Sequence, residues 1–154
     1  MPIDNNPLRQ YFRRPSIYIR LPSDGVGYRQ GVVDIPESGE LPIFPMTAID
    51  EITAKTPDAL YSGQAVVDVI KSCAPAIKDP WALNAVDLDA ILIAIKSASS
   101  TGNLDMESIC TKCGDTSKYG VNLSHLLASL KAGDYNTELP VNELTVKFRP
   151  LTYR

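Results

Sequence analysis

The chain has 154 residues, 44% of them hydrophobic and 21% charged, which suffices for one buried core and excludes a chain that is disordered throughout. Its formal net charge of −3 argues against a dedicated nucleic-acid-binding protein, because such a protein needs a strongly basic surface. Three cysteines cannot form a complete set of disulfides and no apolar run could cross a bilayer, so we expect a cytoplasmic protein without membrane insertion.

Residues 1–15 are predicted to form an extended arm ahead of a single domain that covers residues 16–154. The arm combines basic and aromatic side chains, namely Arg9, Tyr11, Phe12, Arg13 and Arg14. Because such residues are enriched at the energetic centres of interfaces, we expect the arm to bind a protein partner. A disordered tail and a contact with phosphate or RNA are the alternatives. Phe148, Arg149 and Tyr153 repeat this chemistry near the C-terminus, either beside the arm as a second partner-binding segment or simply at the end of the sheet.

Apolar periodicity predicts two short strands followed by helices. Ile17, Ile19 and Leu21 alternate with polar residues, and a second extended passage covers residues 41–44. Thr47 is a suitable N-cap for a helix on which we expect two isoleucines to face inward, Ile49 and Ile52. A proline at position 57 and a glycine at position 63 predict the starts of two further helices.

The strongest helical pattern follows Asp87, which we expect to be the N-cap. Four apolar residues recur there at helical spacing, Leu88, Ile91, Leu92 and Ile95. Trp81, in the turn before this helix, is predicted to fill the core. Gly102 is a suitable end for the helix.

The last third of the chain has a β-type pattern. Alternation on both sides of Cys110 and Cys113 predicts a hairpin with a cysteine knuckle at its tip, and Ser124 is predicted to cap a short helix. A final strand is expected from Leu144 to Phe148. The chain as a whole is therefore predicted to be an α+β domain with a helical middle and a small, mostly antiparallel sheet from its N- and C-terminal segments.

The sharpest chemical motif is Cys110-x-x-Cys113-Gly114, because a tight turn of this kind can direct two thiolates at one zinc ion. A structural zinc site needs four ligands, and Cys73 and His125 could complete the set only if the fold brings them close to the knuckle. Structural zinc is the one cofactor that the sequence leaves open. A redox pair and a turn without metal are the alternatives.

No complete catalytic site is predicted. His125 lacks an orienting carboxylate, and the paired acids at Asp50-Glu51 and Asp87-x-Asp89 stand at predicted helix starts, where negative charge is favourable without any chemistry. A glycine-containing segment near residue 25 lacks the lysine and the following helix of a phosphate-binding loop. We therefore expect a protein that is not an enzyme and has no small-molecule substrate.

Several runs of residues in a fixed order resemble one known family. They are P-M-T-A-I-D-E-I, K-T-P-D-A-L-Y-S-G, S-C-A-P-A-I-K-D-P-W and V-D-L-D-A-I-L-I-A-I-K, then the Cys-x-x-Cys-Gly knuckle, Y-G-V-N-L, S-H-L-L and the ending K-F-R-P-L-T-Y. Together they resemble the baseplate hub assembly protein family of T-even-type contractile-tailed bacteriophages, over roughly residues 11–154.

This resemblance implies a phage tail baseplate or hub protein that acts in baseplate assembly through contacts with other baseplate or hub proteins. It would work in the cytoplasm of the infected bacterium during assembly and could then remain in the tail baseplate of the virion. Two alternatives stay open: a tail-assembly chaperone that is absent from the mature virion, and a small zinc- or RNA-binding regulator.

Overall fold

The computed structural model describes residues 13–100, 102–131, 138–147 and 150–154, and their fold is of the α+β class, as predicted. The helices are α1 Ala48–Thr53, α2 Pro57–Tyr61, α3 Gln64–Cys73, α4 Ala85–Ser99 and α5 Leu123–Ser129. The strands are β1 Ile17–Ile19, β2 Leu41–Ile43, β3 Asn103–Ile109, β4 Thr116–Asn122, β5 Glu138–Val141 and β6 Leu144–Lys147.

The described strands form three separate antiparallel pairs, β1 with β2, β3 with β4 and β5 with β6. In the first pair Ile17 lies opposite Ile43 and Ile19 opposite Leu41, so one face of the pair is apolar. This face packs on α4, whereas most residues of the two later hairpins are exposed. The strands on either side of the helical middle therefore pair locally.

The core lies between α3, α4 and the β1–β2 pair. Both helices turn apolar side chains toward it, with Val67, Ile70 and Cys73 from α3 and Ile91 and Ile95 from α4 almost fully buried. Buried alanines of α4, Ala90 and Ala94, leave little bulk between the elements and so permit close packing.

The start of α4 corrects one expectation, because its N-cap is Asn84 and not Asp87. The side chain of Asn84 accepts a hydrogen bond from the backbone N–H of Asp87 at 2.8 Å, and Asp87 lies in the first turn with no exposed surface. Its carboxylate bonds to Ser23 and Tyr28 in the loop after β1. Asp87 therefore joins two distant parts of the chain.

The orientation of α1 was also predicted wrongly. Thr47 caps the helix in a capping box with Asp50, as the sequence indicated, but Ile49 and Ile52 are 74% and 68% exposed. The inward position of this short helix is taken by the buried Asp50, which bonds to Ser72 of α3. A polar contact, and not an apolar one, therefore sets the direction of the helix.

The segment at residues 150–154 pairs with the turn before α4. Tyr153 donates its backbone N–H to Leu83, and its ring stacks on Trp81 with centroids 5.1 Å apart. Trp81 is only partly buried, so it does not fill the core as predicted and instead stacks against the ring of Tyr153.

The N-cap of α5 is also different from the predicted one. Asn122, two residues before the expected Ser124, caps this helix.

Gly63 lies under this aromatic pair and should not tolerate a side chain. Its φ is +74°, and a Cβ there would lie 2.9 Å from the Tyr153 hydroxyl and 3.0 Å from the Trp81 ring. We expect Gly63→Ala to lower the free energy of unfolding by about 1–3 kcal/mol, since left-handed strain and overpacking add. Urea denaturation measures the change. The exposed Gly27, with open space around its Cβ position, is the control, where Gly27→Ala leaves only the backbone strain.

Candidate partner-binding surfaces

Arg13, at the end of the predicted arm, is fixed to the domain. Its guanidinium donates to the backbone oxygen and the hydroxyl of Ser72, both at 3.0 Å, and to the carbonyl of Pro45. It also lies 3.4 Å from the Asp50 carboxylate and over the ring of Phe44. These contacts are intramolecular, so the Arg13 side chain is bound to the domain and does not point into solvent.

Asp50 is the centre of this cluster. Its carboxylate accepts hydrogen bonds from the backbone N–H and hydroxyl of Thr47 and from the hydroxyl of Ser72, at 2.7–3.0 Å. Burial favours the neutral acid, but these hydrogen bonds and the charge of Arg13 outweigh it, so the pKa of Asp50 is lowered from 3.8. The carboxylate is therefore held in its charged form.

The other predicted partner-binding residues have different positions. Arg14 is exposed beside the anchored Arg13, and Tyr153 is half-buried against Trp81. The remaining five lie outside the described residues, namely Arg9, Tyr11, Phe12, Phe148 and Arg149. Partner binding by the arm and by the C-terminal segment stays a prediction.

Two short helices expose large apolar side chains that the sequence pattern had assigned to the interior or left unassigned. We define the α1–α2 patch as Ile49, Ile52, Leu60 and Tyr61. Leu60 also lines an apolar groove of about 150 Å³, together with Met46, Val66 and Leu92. Exposed apolar surface of this kind is typical of an interaction site.

The β5–β6 hairpin has one entirely apolar face. In its register Leu139 lies opposite Val146 and Val141 opposite Leu144, so these four side chains share a side of the strand pair. All four are exposed, and Leu144 reaches 72%. The opposite face is polar and carries an ion pair between Glu138 and Lys147 at 2.6 Å. An isolated two-stranded hairpin is marginal in water, so this face is suited to burial against another surface.

The β3–β4 hairpin is also exposed along most of its length. One face carries Met106 opposite Tyr119 and Leu104 opposite Val121, at the end of the hairpin that adjoins α5. Met106 and Tyr119 are both more than 40% exposed. The hairpin thus presents a second apolar strip, which the alternation in the sequence predicted as a strand but not as a surface.

The two cysteines of the motif lie at the tip of this hairpin. The backbone N–H of Cys110 donates to Asp115 at 2.8 Å, and that of Gly114 donates to Cys110 at 2.9 Å, which closes a tight turn. Backbone N–H groups of Cys113 and Lys112 donate to the Cys110 sulfur and lower the pKa of its thiol. Both thiols are exposed.

The structure does not bring the other predicted ligands to the tip. Cys73 is buried beside Arg13 and Asp50, and burial raises the pKa of its thiol. His125 follows Asn122, whose strand partner Asn103 marks the opposite end of the hairpin. In the part of the chain that the structure describes, no three His, Cys, Asp or Glu side chains are placed to hold one metal ion.

Comparison with known proteins finds one family. A family model described as T4 bacteriophage base plate protein matches residues 19–154, which is most of the chain. No curated protein and no solved structure matches the chain significantly. None of the described helices is both long and apolar enough to cross a membrane.

Proposed function

The chain belongs to the T4 bacteriophage base plate protein family, and from this membership we propose that it acts in assembly of the tail baseplate through protein–protein contacts, without catalysing a reaction. The partners are other baseplate or hub proteins of the phage. The protein acts in the cytoplasm of the infected bacterium while the contractile tail is built.

The apolar face of the β5–β6 hairpin is the observation that carries this proposal. Four apolar side chains on one side of two short strands gain nothing from exposure to water, and burying each one stabilises a complex by about 1.5–3 kcal/mol at full burial. Their polar opposite face, with the Glu138–Lys147 ion pair, can stay in solvent. A partner that covers only the apolar face therefore leaves no charge unpaired.

The α1–α2 patch supports a second contact. It stands on helices attached to α3, whereas the β5–β6 hairpin follows α5 in the chain. A protein with two separate apolar surfaces can join two neighbours, as an assembly component must.

Leu144→Asp should disrupt assembly without unfolding the protein. The charge would be placed on the most exposed residue of the apolar face, next to the turn, where we expect binding to a baseplate partner to weaken by about 2 kcal/mol or more, which is roughly 30-fold. The experiment uses a phage that carries the substitution and counts complete tails by electron microscopy, together with the plaque titre.

Thr145→Asp is the matched control, because Thr145 is the next residue of the same strand and lies on the polar face. We expect it to give complete tails at the normal number, and both purified variants to melt at the temperature of the unchanged protein. Equal tail counts for the two variants would refute the proposed role of this face.

A tail-assembly chaperone that leaves before the virion is complete is the alternative within the same family. Mass spectrometry of purified virions separates the two roles. Peptides from this chain in stoichiometric amount support a baseplate component, whereas their absence from virions whose assembly still requires the protein supports the chaperone.

A further inference from the structure

The tip of the β3–β4 hairpin carries two exposed thiols, those of Cys110 and Cys113, with two residues between them. Gly114 adopts a φ of +75°, which lets the turn close with both cysteines on it. The Cys113 sulfur lies 3.4 Å from the Asp115 carboxylate, and the thiols of Cys110 and Cys113 are both exposed.

These two thiols make only half of a closed site. A structural zinc ion takes four ligands in a tetrahedron, and the described residues place no third side chain of a suitable type at the tip. Cys73 and His125 are excluded by their positions in the core and at the far end of the hairpin. The described residues of one chain therefore supply two of the four ligands.

The tip is open to a second molecule. Each strand has seven residues, so the tip lies about 20 Å from the hairpin end that adjoins α5. Every residue from 105 to 120 is exposed, and Ile109, next to Cys110, is 67% exposed. Another chain can therefore approach the sulfurs without displacing any packed element.

We propose that the hairpin tip is a half-site for a zinc-type divalent cation and that a second copy of this chain supplies the other two thiolates. A two-fold axis through the ion would relate the cysteine pairs of the two copies, so that together they provide four ligands. Dimers with such a two-fold axis are the commonest homo-oligomers. The same axis can bring Lys112 of one copy toward Asp115 of the other, a pairing of opposite charges. This inference does not depend on the proposed role in assembly.

The contact area between two hairpin tips is too small to hold a dimer together without the metal ion. Two hairpin tips of a few residues each bury far less than the roughly 1,200 Å² that a stable interface needs. The four metal–sulfur bonds would therefore hold the pair together, and removal of the ion should release monomers.

The full-length protein, reduced and treated with EDTA, is titrated with zinc chloride and followed by analytical ultracentrifugation and metal analysis. We expect one zinc ion for two chains, a shift from monomer to dimer, and reversal by EDTA. Cobalt(II) in place of zinc should give the absorption of tetrahedral thiolate coordination. Cys110→Ser and Cys113→Ser should lose the shift, and His125→Gln, the control, should keep it.

The other outcomes overturn the proposal. One zinc ion bound by a monomer would show that the remaining ligands belong to the same chain or to solvent. A dimer that persists in EDTA would show that the metal does not hold the pair. No zinc retained after gel filtration would show that the tip is not a metal site, and circular dichroism of the serine variants establishes that each is folded.

Discussion

Replacing Asp87 with alanine is expected to lower the free energy of unfolding by about 3–5 kcal/mol, the largest effect of any single substitution considered for this chain. The carboxylate has no exposed surface. One oxygen accepts the backbone N–H of Ser23 at 3.0 Å, and the other accepts the hydroxyls of Ser23 and Tyr28 and the side-chain amide of Asn84. Alanine would leave all four donors without their partner in a site closed to water.

The destabilisation caused by Asp87→Ala should extend beyond α4, because the hydrogen bonds of Asp87 also hold the loop after β1. Tyr28 both donates to Asp87 and accepts the backbone N–H of Asn84, and burial together with the Asp87 hydrogen bond raises the pKa of Tyr28 above its ordinary value. Hydrogen exchange of the amides in residues 23–28 would accelerate in Asp87→Ala if the network holds this loop.

Asp89→Ala is the matched control for this prediction. Asp89 lies two residues further along the same helix and is exposed, so its removal should change stability by less than about 0.5 kcal/mol. Guanidinium denaturation of both variants measures the difference. A loss below 1 kcal/mol in Asp87→Ala would mean that the four donors find other partners.

How far the fold could be predicted from the sequence depends on whether local or distant contacts decided each feature. Thr47 with Asp50 three residues later is a local signal, and the helix start it predicted is confirmed. Asn84 has the same cap chemistry as Asp87, and both are buried; the Asp87 carboxylate bonds instead to the distant Ser23 and Tyr28, and Asn84 is the cap. Distant contacts of this kind leave no trace in local periodicity.

The exposed apolar surfaces also depend on contacts that the local sequence pattern does not show. Alternation predicted only a final strand from Leu144 to Phe148, so β5 was missed, and the shared apolar face of β5 and β6 follows only from their pairing. For Ile49 and Ile52 the apolar character was visible, and the polar contact of Asp50 with Ser72 turned them outward. Alternation predicted the two strands on either side of Cys110 and Cys113, whereas the distance between these cysteines and His125 could not be predicted from the sequence.

Asp50→Asn should cost about 2–3 kcal/mol at neutral pH, since the amide keeps the volume but loses the negative charge that strengthens the hydrogen bonds from Thr47, Ser72 and Arg13. The pKa of Asp50 is lowered in the folded protein, so its contribution to stability is complete above its unfolded value of 3.8. It is lost as the pH falls through the lower folded value. The difference between wild type and Asp50→Asn should therefore shrink in acid.

Arg13→Ala tests whether the ion pair is part of that contribution, because Arg13 and Asp50 contact each other at 3.4 Å with both side chains largely buried. We expect the two substitutions together to cost less than the sum of their separate costs, by about 1 kcal/mol in a double-mutant cycle from thermal unfolding. Arg14→Ala, at the exposed neighbouring position, should show no coupling to Asp50→Asn. Additive costs for Arg13 and Asp50 would mean that Arg13 is held by the carbonyl of Pro45 and by Ser72 alone, without a contribution from the charge of Asp50.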